Sequence, residues 1–351
     1  MTSRQRVNYA IKVVVSHALY YLGLLQLWQR IVMRRKAVIL MYHRVLTPEE
    51  LARTGSHPAL VVSRETFARQ MALLKRRFSV LTVNEFASRL ERKVPFENSS
   101  CLITFDDGWQ DNVDNALPIL ERHNLPALVF LPANYVGSRR LFWQEALTHL
   151  LRRVVAEVRS NPARRGAFAR ILEPAGLEHL LELADADPRT AIIDAIASQK
   201  RLTRSSIEDL QQALARELKV SLDDLSDVDG FIGWTDVERM AVGGISFGGH
   251  GVDHLLLTQV SDDDVRREVR GSKQMMQDKF AQTVPTFSYP NGYWTPPIAR
   301  EVEDAGYRLA FTTKRGFVSC SDEPFTVRRL NIHEAVTNTT PMFLARVVGL
   351  L

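Results

Sequence analysis

At 351 residues, with 45% hydrophobic and 24% charged residues, the chain has the length and composition of a soluble globular protein with one large α/β domain or two smaller ones. Its formal charge of +5 is unevenly spread: residues 1–36 carry Arg4, Arg6, Lys12, Arg30, Arg34, Arg35 and Lys36 and no acid, which leaves the rest at −2 and excludes a basic nucleic-acid-binding body. The two cysteines, Cys101 and Cys320, form no C-x-x-C pair, which excludes a thiolate zinc knuckle or a disulfide framework.

The basic N-terminal segment, 1–36, contains an apolar stretch at 13–28. Ser16, His17, Gly23 and Gln26 interrupt it. A spanning helix wants about 20 predominantly apolar residues, and no small-residue cleavage site follows to mark a removable signal. Two readings remain open. One is an amphipathic helix on an anionic membrane surface, with Tyr21, Leu25, Trp28 and Val32 at helical spacing. The other is a helix docked on the protein's own body.

Residues 37–41 predict a buried strand that delivers Tyr42-His43-Arg44-Val45 to its carboxyl end. After a polar loop, Ser63 caps a helix with Phe67, Met71 and Leu74 on one face. A short strand at 78–81 leads to a capping box, Thr82 with Glu85. The strand 101–105 follows, then a helix through 116–123 and a strand at 127–131. This alternation predicts parallel α/β architecture. From about 141 to 230 strand signals vanish, and the Leu/Ala/Arg/Glu content predicts a helical insertion. Alternation resumes at Trp234, with a capping box expected at Thr235 and Glu238. Strands are expected at 244–248, 286–289, 308–312 and 325–330, and helices begin after Ser261 and at Thr295-Pro296. About eight strands result. Polar signatures gathered after strand ends favour a barrel whose active face is the carboxyl end.

The chemistry sits in those signatures. Thr104-Phe105-Asp106-Asp107-Gly108 ends a buried strand in two adjacent carboxylates, an unfavourable pairing unless a cation or a shared proton relieves it. His250 and His254, four apart, can direct two imidazoles to one point from a helical turn. Two nitrogens and one carboxylate leave open positions on a divalent ion, as in a hydrolytic site.

Thr104-Phe105-Asp106-Asp107-Gly108, Ser246-Phe247-Gly248-Gly249-His250-Gly251-Val252-Asp253-His254 and Phe287-Ser288-Tyr289-Pro290-Asn291-Gly292 resemble, in order, three motifs of the polysaccharide deacetylase family, the NodB-homology domains of carbohydrate esterase family 4. The resemblance covers about 37–140 and 231–335. It implies a distorted (β/α) barrel of the polysaccharide deacetylase type, here divided into 37–140 and 231–351 by the helical insertion at 141–230. It also implies metal-dependent removal of N-acetyl groups from the amino sugars of a glycan or glycolipid. Asp107, His250 and His254 would hold the metal, most often Zn2+, and Asp106 would act as general base on the attacking water.

The resemblance further implies that the backbone N–H of Asn291 helps an oxyanion, with Tyr289 and Trp109 on the substrate side. Tyr42, Tyr293 and Trp294 are further candidates for stacking on sugars. Two departures stand out. The arginine that often opens the third motif is Ser288 here, and Arg329 either supplies that charge or is a structural arginine. The general acid is His333, after a late strand, or His43, since Met41-Tyr42-His43-Arg44-Val45 resembles the early Tyr-His element of biofilm poly-N-acetylglucosamine deacetylases; His43 is favoured. The expected setting is exopolysaccharide or envelope assembly at a bacterial membrane surface, with residues 1–36 touching anionic lipid. An O-acetyl esterase and a non-catalytic glycan-binding assembly protein are the rival readings.

Overall fold

The computed structural model describes residues 3–183, 188–199, 203–279 and 285–351, with the side chains of 3–6 and 198 left out. Arg4 and Arg6, two of the seven N-terminal cations, thus have side chains outside the described residues. These residues form two compact units, one of 1–48, 58–137 and 231–351, the other of 49–57 and 138–230.

The first unit is built on apolar runs that become parallel strands. β1 (Ala37–Tyr42), β2 (Arg44–Leu46), β3 (Val61–Ser63), β4 (Ser79–Val80), β5 (Ser100–Phe105) and β6 (Ala127–Leu131) precede the second unit in sequence. β7 (Ile245–Gly249), β8 (Thr286–Ser288), β9 (Leu309–Phe311) and β10 (Leu330–Asn331) follow it. β2 pairs only with β3, while the other eight form one sheet in the order β10-β1-β5-β6-β7-β8-β9, with β4 also on β5. Every strand pair is parallel. β1, β5 and β6 are buried along their whole length, as both-face coverage by helices requires.

The sheet curls back on itself. Val327 bridges Phe311 on one side, and Leu330 pairs with Leu40 on the other, so the segment 327–331 spans from β9 to β1. The strand expected over 325–330 is therefore mostly irregular: Arg329 donates its backbone N–H to Lys314 O, 3.0 Å away, and regular pairing starts only at Leu330. That irregularity leaves the Arg329 side chain buried at the strand ends.

Local signals explain several helix starts. Ser63 and Ser261 each accept from a backbone N–H three residues on, and Thr82 with Glu85 forms the reciprocal box. The box expected at Thr235 and Glu238 is displaced. The cap lies two residues earlier, at Gly233 before the helix Trp234–Val242, so the Asp236 carboxylate accepts from Gly233 N–H at 3.1 Å.

The N-terminal helices α1 (Ser3–Tyr21) and α2 (Leu24–Val32) belong to the first unit. Leu25, Gln29 and Met33 turn into it, and Gln29 Nε2 donates to Ser99 Oγ at 2.9 Å.

In the second unit, Trp143–Ser160, Arg165–Leu172, Arg189–Ser198 and Arg204–Leu218 are helical, and no described residue there is in a strand. Leu150, Val154, Phe168, Leu172 and Leu214 help fill a core of its own. Residues 49–57, part of the loop expected from sequence, are tied into this unit by Asp229. Its buried carboxylate accepts from Thr54 Oγ1 and Gly55 N–H at 2.6 Å and lies 2.7 Å from His149 Nε2.

Candidate active site

All the motif residues lie in the first unit, at the carboxyl ends of β1, β5, β7, β8 and the 327–331 segment. Asp106 extends the β5 ladder by donating its N–H to Tyr42 O at 3.0 Å. Asp107 then adopts a left-handed φ of 76°, a conformation unfavourable for a residue with a side chain. That reversal gives the adjacent carboxylates different partners.

Asp106 meets Arg329. The guanidinium donates through Nη1 to Oδ1 at 2.6 Å and through Nη2 to Oδ2 at 2.7 Å, a two-pronged contact buried on both sides. Arg329 also donates to Ser288 Oγ at 2.8 Å and to Thr312 O at 3.0 Å, so its planar group is held from several directions. Burial pushes the Asp106 carboxyl up, and the facing guanidinium outweighs it, leaving the group below its ordinary range. Asp106 is an anion at neutral pH.

Asp107 meets the histidines. Its Oδ1 lies 3.5 Å from both His250 Nε2 and His254 Nε2. Burial raises the Asp107 carboxyl, but the two imidazoles and His43 lower it further, well below the usual carboxylate range. Trp109 fixes the other oxygen by donating Nε1–H to Asp107 Oδ2 at 3.0 Å.

The histidines are presented by β7 and the loop after it. Gly248 permits this placement, because a Cβ there would sit 2.7 Å from the Phe130 ring and 2.4 Å from Thr286 Oγ1. His250 donates its N–H to Leu131 O at 2.9 Å, and its Nδ1 is 2.7 Å from Ser288 O. A carbonyl can only accept, so Nδ1 carries the proton and Nε2 keeps its lone pair for the cluster. His254 comes from a loop and not from the expected helical turn; its φ is 55°. Glu268 explains why that loop holds. Its buried carboxylate accepts from the N–H groups of Val252, Asp253 and Leu255, between 2.9 and 3.4 Å. Gly251 makes room for it at φ 81°, where a Cβ would meet Glu268 Oε2 at 2.6 Å.

The donor set fits a divalent metal. Two ligands at about 2.0–2.1 Å from a tetrahedral ion lie about 3.4 Å apart, and the observed 3.5 Å separations match that spacing while exceeding a good hydrogen bond. Asp107, His250 and His254 have ligand atoms all within 4.8 Å of one another. Burial and the neighbouring His250 push His254 down to about 4, so at neutral pH its imidazole is neutral, as a metal ligand must be. The backing of His250 by Ser288 O and of Asp107 by Trp109 is the usual outer layer of such a site.

His43 lies at the end of β1, with Nδ1 buried and without a hydrogen-bond partner. Burial lowers its basicity, Asp107 and Asp106 oppose that, and Arg329 and His250 add to it; the net direction is down. His43 is in turn among the charges acting on Asp106, Asp107 and His254. His333 ends the β10 segment, and its carbonyl accepts from Thr337 Oγ1 at the start of the helix Glu334–Thr337. Asn291 sits in the Pro290–Gly292 turn at φ 55°, exposed, its carbonyl accepting from Thr313 Oγ1.

Two expectations for substrate contact need correcting. Tyr289 is fully buried, donating Oη–H to Phe325 O at 3.0 Å and its backbone N–H to Phe311 O at 3.1 Å, so both donors are committed. Trp109 is also fully buried, stacked on Phe231 at 4.6 Å, and serves Asp107 from behind. Tyr42 is buried too, donating to Gln70 Oε1, whereas Tyr293 is 52% exposed.

Residues not singled out from sequence complete the layer. Arg44 is fully buried, 4.2 Å from the Trp109 ring centroid, and pairs with Asp111 at 2.6 Å; Asp111 also accepts Val45 N–H. Asn112 Nδ2 donates to His43 O at 2.9 Å. The turn after Asp107 thereby grips the segment carrying His43. A charged residue after a wholly apolar run, as at Arg44, was the one available sign.

Comparison with known proteins agrees with this fold. The model of the polysaccharide deacetylase family matches residues 93–160 and 202–310, half of the chain. YxkH of Bacillus subtilis, provisionally named a polysaccharide deacetylase, is 20% identical over 305 residues, 87% of this chain and 74% of that protein. The poly-β-1,6-N-acetyl-D-glucosamine N-deacetylase of Staphylococcus epidermidis is 34% identical over 113 residues, 30% of this chain and 39% of that protein. Among solved structures, the Streptococcus pyogenes deacetylase PplD in complex with acetate superposes with a TM-score of 0.56 at 19% identity, covering 89% of this chain and 98% of that one.

Proposed function

The chain belongs to the polysaccharide deacetylase family, and from that premise we propose that it hydrolyses N-acetyl groups on the amino sugars of a glycan, with a divalent metal held by Asp107, His250 and His254. Zinc is the proposed ion, because two imidazoles and one carboxylate form its common hydrolytic ligand set. The observation that carries the reading is Asp107 Oδ1 at 3.5 Å from both imidazole nitrogens, with a second carboxylate beside it kept anionic by Arg329. The proposed glycan contains N-acetylglucosamine, supported by the 34% identical segment of the staphylococcal N-deacetylase and by the Tyr42-His43 element.

When bound, the metal polarises the acetyl carbonyl and makes water a better nucleophile at neutral pH. Asp106 accepts the proton of the attacking water. Its two oxygens each accept from Arg329, which fixes the carboxylate plane; Oδ2 also accepts from Ser288 Oγ at 3.4 Å, and Oδ1 keeps a lone pair for the proton. Arg329 thus takes the part of the arginine that Ser288 replaces, and Ser288 Oγ braces it. The Asn291 backbone N–H is the proposed oxyanion donor. His43 is the proposed acid toward the leaving amine; its lowered basicity keeps the protonated form scarce but makes that form a stronger donor. Trp109 and Ser288 position ligands, and Tyr289 walls the site. Peripheral contact of residues 1–36 with an anionic membrane is part of the same reading.

The test is acetate release from N-acetylglucosamine oligomers, with and without chelator and zinc restoration, beside Asp106→Asn. Release should fall by at least about a hundredfold in each loss condition. Wild-type release indifferent to both chelator and substitution sinks the mechanism.

A further inference from the structure

The N-terminal helices are docked and outward-facing at once. Ser16 is buried, and Tyr9 Oη accepts from Asn338 Nδ2 at 3.2 Å, so one side of α1 is held by the body. On α1, Val7, Ile11, Val14, Val15 and Tyr21 recur at helical spacing and face solvent, Val14 at 67% exposure, and Leu22 follows in the turn. On α2, Leu25 and Gln29 turn inward while Leu24, Leu27, Trp28 and Ile31 stay exposed. Nine of the fourteen exposed large hydrophobics among the described residues lie on these two helices and a tenth, Leu22, in the turn between them, so the apolar surface is concentrated and not scattered. An inward stripe would need no partner. An outward one does.

Charge selects the partner. Lys12, Arg30, Arg34, Arg35 and Lys36 are exposed on the same helices and the turn after them, and residues 1–36 contain no acid to neutralise them. Apolar residues interleaved with uncompensated cations match an anionic bilayer surface, which offers acyl chains below negative headgroups. Among the described residues no single helix is long and apolar enough to cross a membrane; residues 7–21 of α1 and α2 reach that length and apolarity only together, across an 88° bend, so a broken span is the rival reading.

We propose that α1 and α2 seat the protein on an anionic lipid bilayer, with Ile11, Val14, Leu27, Trp28 and Ile31 in the acyl boundary and the basic residues among the headgroups. The inference rests on the membrane contact included in the proposed function and assigns it the residues of its face, independent of the metal chemistry.

The full chain is mixed with vesicles of phosphatidylcholine alone or with phosphatidylglycerol added, and flotation is measured alongside acetate release from soluble oligomers. Binding should require phosphatidylglycerol and weaken with salt. Val14→Ser/Leu27→Ser/Ile31→Ser should lower partition at least tenfold. Arg34→Gln/Arg35→Gln/Lys36→Gln should do the same for anionic vesicles only, at about fivefold per charge. Both variants should keep wild-type acetate release. Equal binding to both vesicle types overturns the proposal, as does resistance to alkaline carbonate extraction, which marks a span. Absence of vesicle binding, with self-association lost in the Val14/Leu27/Ile31 variant, would assign the face to a second copy. Vesicle binding without acetate release leaves this inference standing and removes the proposed chemistry.

Discussion

Asp106 and Arg329 show how one residue's environment sets its chemistry. Burial alone would favour the protonated acid; the two-pronged guanidinium reverses that and holds the carboxyl below its ordinary value. A native group with a depressed pKa contributes stability above its unfolded pKa and loses it as pH falls through the native one. Arg329→Met leaves burial unopposed. The Asp106 pKa should then rise, so the acid limb of the pH profile of kcat/KM should move upward by at least about one unit. Breaking a buried pair should also cost about 3–5 kcal/mol of stability near neutral pH. A profile that keeps its acid limb would separate Arg329 from the base. Arg329→Lys supplies charge without the fork and should restore only part of the shift.

At the scale of elements, the strands were legible because continuous apolar runs of five or six residues are what a sheet covered on both faces demands. β1 and β6 follow this rule closely, and β5 departs from it at Ser100 and Thr104. The pairing of β2 with β3 was not legible, since three-residue strands carry almost no period. The bracing residues were harder still, because a buried polar group finds its partner through the fold and not through local spacing. Glu268 nonetheless left a trace. It falls on the inward stripe of the helix Asp262–Lys279, with Val265, Val269, Ser272 and Met276. An acid on such a stripe needs hydrogen bonds, and it receives them from the loop carrying His254. Glu268→Gln replaces one acceptor oxygen by a donor facing N–H groups. The helix should remain, while zinc affinity measured by competition should fall about 10–100-fold, as for other outer-layer substitutions. An unchanged affinity with an unchanged melting curve would mean that the loop holds itself.

At the scale of the whole molecule, the proposed metal ligands and the helical insertion belong to different units with different cores. A ligand that binds only the folded form stabilises by mass action, about 2.7 kcal/mol at a hundred times its dissociation constant. Zinc should therefore raise the melting temperature of the first unit by several degrees, and chelator should reverse the shift. The second unit, with no ligand to the ion, should melt at the same temperature in both conditions. Calorimetry that shows both transitions moving together would mean that the units unfold as one. The insertion's helical character was readable from composition. The recruitment of residues 49–57 was not, because it depends on Asp229, far along the chain.

The tie between Asp106 and Arg329 also gives the site an order in time. Asp106 ends a central strand made early in synthesis, and Asp107, His250 and His254 are all present well before the chain reaches residue 329. Until that residue arrives, the carboxylate intended as a base faces burial with no counter-charge, and the segment that links β9 to β1 is missing. On the proposed roles, the three metal ligands all precede in sequence the arginine that keeps the base anionic. Segment 327–331 joins β9 to β1 and carries that arginine, so closing the sheet and supplying the counter-charge are one event.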